Sequence, residues 1–150
     1  MRQASRGARH SIATSAVSST ACLPCFSRAR GSDTPQGSGH VVQITTSLLD
    51  HAIAGIPSVL ASLTKGSLNA ATRSLAIEYA KRGIRVNAVA LGVIKTPMHP
   101  VETHAQLGTL HPLGHMGEIS DVVGAILYLE SAGFVTGEIL HVDGGQSAGH

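Results

Sequence analysis

Three short runs of apolar and β-branched residues alternate in this chain with two longer segments of helical periodicity. The runs are HVVQITT (40–46), IRVNAVAL (84–91) and EILHVDGG (138–145). Parallel strands need a crossover of a dozen or more residues, usually a helix, whereas antiparallel strands can be joined by a tight turn. The order strand, helix, strand, helix, strand therefore predicts an α/β fold with a parallel sheet of about three strands.

The segments between the runs predict the crossover helices. The first helix is expected to begin near Ser58, a favourable N-cap residue, and to stop at Gly83. Its apolar residues at helical spacing are expected to face the sheet: Leu60, Leu68, Ala71, Leu75 and Tyr79. The second helix is expected within 118–131 with Ser120 as its N-cap, and a weak helix over 101–109. These elements predict part of a doubly wound, Rossmann-like domain.

The predicted strands end at one edge of the sheet, and doubly wound sheets bind ligands beyond the carboxyl ends of their strands. Segments 45–47, 91–96 and 143–145 are expected at this edge. Lys65, near the start of the first helix, is expected there too. The convergence of four segments predicts a functional site at this edge.

Charge and composition argue against two classes of partner. Residues 1–32 hold five arginines and no acid, whereas residues 33–150 hold six basic and nine acidic residues. The body of the chain therefore gives no reason to expect nucleic acid binding, and aromatic residues, at 3% of the chain, are too few for base stacking. No apolar run approaches the roughly 20 residues of a membrane span. We expect neither a nucleic acid nor a membrane partner.

The first 36 residues differ in kind from the rest. They are rich in Arg, Ser, Thr and Ala and lack a sustained apolar period, so they are expected to be disordered or a non-native segment, and 37–150 to form the folded part. An acid-free start rich in Arg and Ser is also typical of a mitochondrial transit peptide. The expected location is the cytoplasm, or the mitochondrion if this segment is a transit peptide.

Cysteine and histidine spacing gives little support for a redox or metal site. Cys22 and Cys25 form a lone CxxC, and without a second pair the pattern favours two thiols in a flexible tail over a redox protein. His111 and His115 are four residues apart, but Pro112 lies between them and breaks a helix that would use that spacing. We predict no metal site.

Two longer motifs carry a family resemblance. RSLAIEYAKRGIRVNAVALG followed by TP, and the ending FVTGEILHVDGG, together resemble the carboxyl-terminal half of a short-chain dehydrogenase/reductase, over about residues 37–146. The resemblance implies NAD- or NADP-dependent oxidoreduction of a small-molecule carbonyl/alcohol pair. Family members form dimers and tetramers through the long helix and the last strand, so the resemblance also implies a homo-oligomer or a self-associating chain.

The resemblance assigns roles on the first helix. In the family a tyrosine precedes a lysine by four positions, and Lys65 matches that lysine, which serves catalysis and binds the nicotinamide ribose. Ala61 stands in the place of the tyrosine. A methyl group cannot transfer a proton, and general acid–base catalysis contributes on the order of 10²–10⁴ in rate. His51, on the preceding loop, is a candidate substitute.

The resemblance assigns further roles at the strand ends. The family's substrate-binding serine falls at Thr46 or Ser47. Gly92 follows Leu91 where the family has Pro-Gly; the backbone of Ile94 is expected to meet the nicotinamide carboxamide. Thr96 is expected on the pyrophosphate side.

A glycine-rich turn between a strand and a helix holds the pyrophosphate in this family. Here the only glycine-rich stretch, GSDTPQGSG, leads into a strand. We therefore expect a truncated member whose cofactor binding is doubtful and whose activity alone is weak or lacking. The alternative is a non-catalytic module that pairs with full-length relatives. In either case the unpaired edge of 40–46 is expected to promote self-association.

Overall fold

The sheet in the computed structural model, which describes residues 12–15 and 39–149, has four parallel strands. They are β1 (Ile12–Ser15), β2 (Gly39–Thr46), β3 (Ile84–Leu91) and β4 (Ile139–Val142), in that spatial order. The predicted α/β fold and its three parallel strands are confirmed, and β1 is an additional strand. The long strands β2 and β3 lie in the middle, and the four-residue strands form the edges.

Strand β1 corrects the expectation of disorder for four residues of the amino-terminal segment. It pairs with β2 from Ile12 opposite His40 to Ser15 opposite Gln43. The N–H and C=O groups along an unpaired strand edge are a template for such pairing, which the local composition does not reveal. The β2 edge expected to be open is therefore half covered. Cys22, Cys25 and the remainder of 1–36 lie outside the described residues.

The helices follow the predicted order. Helix α1 spans Val59–Tyr79, α2 spans His104–Gly108 and α3 spans Ile119–Ser131, and 3₁₀ turns cover Ser47–Leu49, Ala80–Arg82, Val101–Thr103 and Gln146–Ala148. Gly83 ends the first helical segment in the left-handed region, with φ of 69°. The α3 cap differs from the prediction: Glu118, not Ser120, is the N-cap, and its side chain forms a reciprocal capping box with Asp121. Ser58 is the N-cap of α1, but its side chain makes no capping hydrogen bond.

The buried face of α1 is narrower than predicted. Leu68, Thr72, Ala76 and Tyr79 are buried, whereas Leu60, which was expected to face the sheet, is 75% exposed. At about 100° per residue, the buried positions fall within an arc of about 80° that begins at Leu68, and Leu60 lies about 80° outside it. The Leu60 prediction is wrong because spacing alone did not locate the centre of the arc.

The core lies on both faces of β3, whose residues 86–90 are fully buried. On one face Val86 packs with Ala76 and Tyr79 of α1. On the other face Val89 packs with Val42 and Leu129. Among the described residues, no helix is both long and apolar enough to cross a membrane.

A polar network joins the amino edge of the sheet to the end of α3. The Arg85 guanidinium donates to four backbone carbonyls at distances of 2.7–3.3 Å: those of Leu129, Glu130, Ala132 and Val135. His40 Nδ1 lies 2.8 Å from the Glu130 carboxylate, and its Nε2 lies 2.9 Å from the Asn87 amide. Burial lowers the pKa of His40, and the hydrogen bond to Glu130 opposes this only in part. A cavity of about 640 Å³ lies at this edge, opposite the predicted site.

Candidate functional site

Lys65 lies on the face of α1 that is turned towards the sheet. Its Nζ donates to the carbonyl oxygen of Ile44 in β2 at 3.4 Å. Ala61 is half-buried one turn earlier and about 40° away around the helix. Among the described residues no carboxylate forms an ion pair with Lys65. The helix therefore presents an ammonium group near the end of β2, with a methyl group beside it.

The two candidates for the substrate-binding hydroxyl differ in their surroundings. The Ser47 hydroxyl is fully buried and lies 2.6 Å from Oε1 of Gln146 and 3.2 Å from the carbonyl oxygen of Leu91. It therefore ties the loop after β2 to the ends of β3 and β4. Thr46 is half-buried, and its Oγ1 accepts a hydrogen bond from the N–H of Leu48 at 3.4 Å. A hydroxyl that accepts keeps its own proton to donate, so Thr46 suits a substrate carbonyl better than Ser47 does.

Gly92 occupies a position with no room for a side chain. A Cβ atom there would lie 2.7 Å from Nε2 of His111 and 2.9 Å from Cα of Asp143. The backbone after β3 thus passes close to the segment that carries His111 and to the turn after β4.

Residues 93–96 leave the sheet in a fixed direction. The N–H of Gly117 donates to Val93 at 3.0 Å and the N–H of Lys95 donates to Gly117 at 2.9 Å. These two bonds make Ile94 the bridge partner of Gly117. In a parallel bridge the paired residue directs its own N–H and C=O to the opposite side, so those groups of Ile94 point away from Gly117. Thr96 is half-buried, and its carbonyl accepts from His99 at 3.0 Å.

Asp143 fixes the turn after β4. Its carboxylate accepts from the N–H of Gly145 at 3.0 Å and from the N–H of Ser147 at 2.8 Å. Burial of Asp143 by itself would raise its pKa, but hydrogen bonds from Ser147 and Gly145 outweigh that effect and lower the pKa. An ionised Asp143 therefore stabilises this turn at neutral pH.

A cavity of about 420 Å³ lies between the loops after β3 and β4 and the start of α3. His111, His115 and His141 line it, but in the described part of the chain no three His, Cys, Asp or Glu side chains are arranged to hold a metal ion. His141 Nε2 lies 2.9 Å from the carboxylate of Asp50. His51 is half-buried, and its backbone N–H donates to the Ser47 carbonyl at 3.4 Å.

Comparison with known proteins identifies the family. The family model for enoyl-(acyl carrier protein) reductase matches residues 3–147. This chain belongs to the short-chain dehydrogenase/reductase family. The match begins at residue 3 and so reaches well before residue 37, where the motif resemblance starts.

Curated relatives agree with that assignment. A tropinone reductase homolog of Arabidopsis thaliana is 44% identical over 91 residues, which cover 56% of this chain and 35% of the relative. General stress protein 39 of Bacillus subtilis is 41% identical over 114 residues, covering 71% of this chain and 39% of the relative. The chain spans 29–49% of the length of the curated relatives it matches.

Solved structures of the family share the fold. A blue fluorescent protein from a metagenomic library, in complex with NADPH, superimposes with a TM-score of 0.74 at 31% identity, over 85% of this chain and 52% of that one. ElxO with NADP bound gives a TM-score of 0.65 at 33% identity, over 74% of this chain and 47% of that one. The Rossmann-like architecture of this short-chain dehydrogenase/reductase is therefore established.

The structure brings most of the predicted site residues to the carboxyl edge of the sheet. Thr46 and Ser47 follow β2, and Gly92, Ile94 and Thr96 follow β3. Lys65 extends from α1 to the carbonyl oxygen of Ile44, near the carboxyl end of β2. The contacts of His111 and Gln146 were not predicted, because nothing in the local sequence indicates that either side chain is buried.

Proposed function

We propose that residues 39–149 form the nicotinamide and substrate side of an NAD(P)-dependent oxidoreductase site for a small carbonyl/alcohol pair. We further propose that this chain alone is weak or inactive in that reaction. The observation that carries the proposal is the pair on α1: Lys65 reaches the carboxyl edge, and Ala61 stands where the family has its tyrosine. The structures of ElxO with NADP bound and of the blue fluorescent protein with NADPH support the choice of cofactor.

The residues at the edge fit the nicotinamide half of such a cofactor. Lys65 would bind the ribose hydroxyls, because its ammonium group donates to one backbone carbonyl and forms no ion pair among the described residues. Ile94 would bind the carboxamide, because its N–H and C=O point away from Gly117 and are complementary to an amide. Thr96 would lie on the pyrophosphate side. Among the described residues, no glycine-rich turn leads directly from a strand into an α-helix, so these residues account for the nicotinamide half of the cofactor.

The chemistry divides between the cofactor and the chain. Held by Lys65 and Ile94, a bound nicotinamide would supply or accept the hydride exchanged at the substrate carbon. The chain must then hold the substrate oxygen and move a proton to or from it. Thr46 would donate a hydrogen bond to that oxygen, but Ala61 can transfer no proton. Lack of this step lowers the rate on the order of 10²–10⁴, which supports weak or no turnover.

Titration with dinucleotide tests the proposal. We expect calorimetry with NADH and NADPH to show no dissociation constant below about 1 mM, because the glycine-rich stretch GSDTPQGSG leads into a strand and not into a helix that could hold the pyrophosphate. We also expect Ala61→Tyr to leave carbonyl reduction at background, because cofactor binding is limiting. Ala70→Tyr on the exposed side of α1 is the matched control. A micromolar constant, or turnover in Ala61→Tyr but not in Ala70→Tyr, would show that this chain binds cofactor productively.

The second candidate function is a non-catalytic module that pairs with copies of itself or with longer relatives. The observation that favours it is an exposed apolar stripe on α1. Val59, Leu63 and Ile77 are 72–80% exposed and lie within about 40° of one another around the helix. Isolated exposed apolar residues are ordinary, but exposed apolar residues that recur on one side of a helix favour an interaction surface.

Sedimentation velocity tests this second candidate. We expect the chain to sediment as a dimer or larger species, and we expect Leu63→Lys to shift it towards monomer by placing a charge in the stripe. Thr64→Lys is the control, because Thr64 is exposed in the same turn but faces about 100° away. If the wild-type chain sediments as a monomer at tens of micromolar, the stripe is not a self-association surface.

A further inference from the structure

His111 is a buried ring whose contacts are not used by the proposed chemistry. It is 3% exposed, and its Nε2 accepts a hydrogen bond from the N–H of Val93 at 2.9 Å. Its Nδ1 is also buried and has no hydrogen-bond partner among the described residues. A neutral imidazole that accepts at Nε2 carries its proton on Nδ1. The structure therefore buries one unpaired N–H together with one bonded nitrogen.

The difference between the two ring nitrogens shows that Nε2, and not Nδ1, makes the favourable contact of His111. A buried donor without a partner is unfavourable, and an apolar ring of similar size would fill the space without it. Packing alone therefore gives no reason for an imidazole at this position. The favourable feature of His111 is its acceptor, and that acceptor holds the N–H of Val93.

Close packing fixes the ring between two loops of the edge. On one side, Nε2 lies 2.7 Å from the point where a Cβ on Gly92 would be. On the other, Cβ of His111 lies 3.0 Å from the corresponding point at Gly144. The N–H of Leu113 donates to the carbonyl of Gly144 at 3.1 Å, which attaches the segment carrying His111 to the turn after β4. The glycines make room for a ring that cannot move far.

The bond from Val93 completes the fixation of the loop after β3. The N–H of Gly92 donates to Val142 at 3.0 Å, and Val93 and Lys95 are bonded to Gly117. Together with the bond from Val93 to His111, these bonds pair the backbone groups on the side of the loop that faces Val142 and Gly117. Those of Ile94 face the other way. The sequence has Leu91 before Gly92 instead of the proline of the family resemblance, so the loop depends on these outside contacts for its rigidity.

We infer that His111 is a positioning residue: its Nε2 holds the loop at 92–94 so that the backbone of Ile94 is presented to a nicotinamide carboxamide. This inference rests on the proposed function, because the carboxamide is part of it. It adds that His111, which does not itself contact the cofactor, determines how well the backbone of Ile94 contacts the carboxamide.

Amide NMR spectra of the full chain provide the test, with nicotinamide mononucleotide as the probe at up to tens of millimolar. The first readout is the hydrogen-exchange rate of the Val93 amide. The second is the dissociation constant obtained from the shift of the Ile94 amide. We expect His111→Phe to speed exchange at Val93 at least about tenfold and to weaken probe binding at least about fivefold. His111→Gln, which keeps an acceptor, should recover most of both.

His115→Phe is the matched control. His115 lines the same cavity, but its Nδ1 lies 2.9 Å from the carbonyl oxygen of Met116, and in the described part of the chain its ring forms no hydrogen bond to the loop after β3. We expect it to change neither readout. If His111→Phe binds the probe as tightly as the wild type, or His111→Gln is as impaired as His111→Phe, the positioning role is wrong.

Two further outcomes are decisive. If His111→Phe does not fold, a Val93 amide in the wild-type chain that exchanges as fast as an exposed amide overturns the inference. If the wild-type Ile94 amide does not respond to the probe, the proposed function fails and the positioning role with it. Slow exchange at Val93 would in that case still show that the hydrogen bond exists.

Discussion

Replacement of Arg85 by methionine is expected to lower the free energy of unfolding by about 3 kcal/mol. Two of the four carbonyls bonded to Arg85 belong to Leu129 and Glu130 in the last turn of α3, where carbonyls have no partner within the helix. Methionine keeps much of the apolar stem but removes every donor. The carbonyls then depend on water in a partly buried site, and the favourable interaction of a cation with the helix end is lost.

Urea titration of Arg85→Met, Arg85→Lys and Arg73→Met measures this effect. Arg73 lies on the exposed side of α1, so Arg73→Met should change stability by no more than about 0.5 kcal/mol. Lysine cannot reproduce the planar fork of donors and should recover only part of the loss. Equal stabilities of Arg85→Met and Arg73→Met would mean that solvent satisfies these carbonyls as well as Arg85 does.

Gly92→Ala is expected to destabilise the chain by about 3 kcal/mol. The added methyl group would lie 2.9 Å from the backbone of Asp143, which cannot rotate away as a side chain can. The loops after β3 and β4 would have to separate, and the ring of His111 would lose its place beside Val93.

The same substitution at Gly124 is the control, because an alanine Cβ there would have no neighbour within 4 Å. Gly124 lies on the exposed side of α3, where alanine should stabilise the helix by about 0.5–1 kcal/mol. Thermal unfolding of both variants should therefore show a lower melting temperature for Gly92→Ala and a higher one for Gly124→Ala. A Gly92→Ala chain as stable as the wild type would show that the loop after β3 is not closely packed against His111 and the turn after β4.

Local sequence predicted the elements whose signal is long and periodic. The span 84–91 was predicted with its observed bounds, because its apolar residues continue to Leu91 and Gly83 marks its start. Strand β1 was not predicted, since four residues that pair along one edge carry little signal of their own and depend on β2. The predicted α3 cap differs from the observed one because Glu118 takes the N-cap position at which Ser or Thr is usual, while Asp121 supplies the acid at N3.

The site was predictable in its location but not in its internal contacts. Lys65 was expected at the carboxyl edge, and it lies there. That Ser47 is bonded to Gln146 could not be predicted, because the two residues are 99 positions apart and neither lies in a periodic pattern. The roles assigned by resemblance to Thr46, Gly92, Ile94 and Thr96 remain predictions.

The segment 97–103 differs from the other loops of this edge in how it is held. Its hydrogen bonds are local: His99 bonds to Thr96, Thr103 to Pro100, and the ring of His104 to the carbonyl of His99. Met98 is 82% exposed and Val101 is 77% exposed. Few contacts with the core make local opening of such a segment inexpensive.

In the proposed function, adaptation to substrates of different size at this edge would fall to 97–103. The loops after β2, β3 and β4 are bonded to one another and cannot change shape independently. A molecule that contacts Met98 or Val101 has to order the segment around itself, and that loss of conformational entropy subtracts from its affinity. A large apolar molecule can offset this by burying both side chains, whereas a small polar one cannot. Selection by size would therefore arise from the entropy of one short segment and not from the shape of the rigid edge.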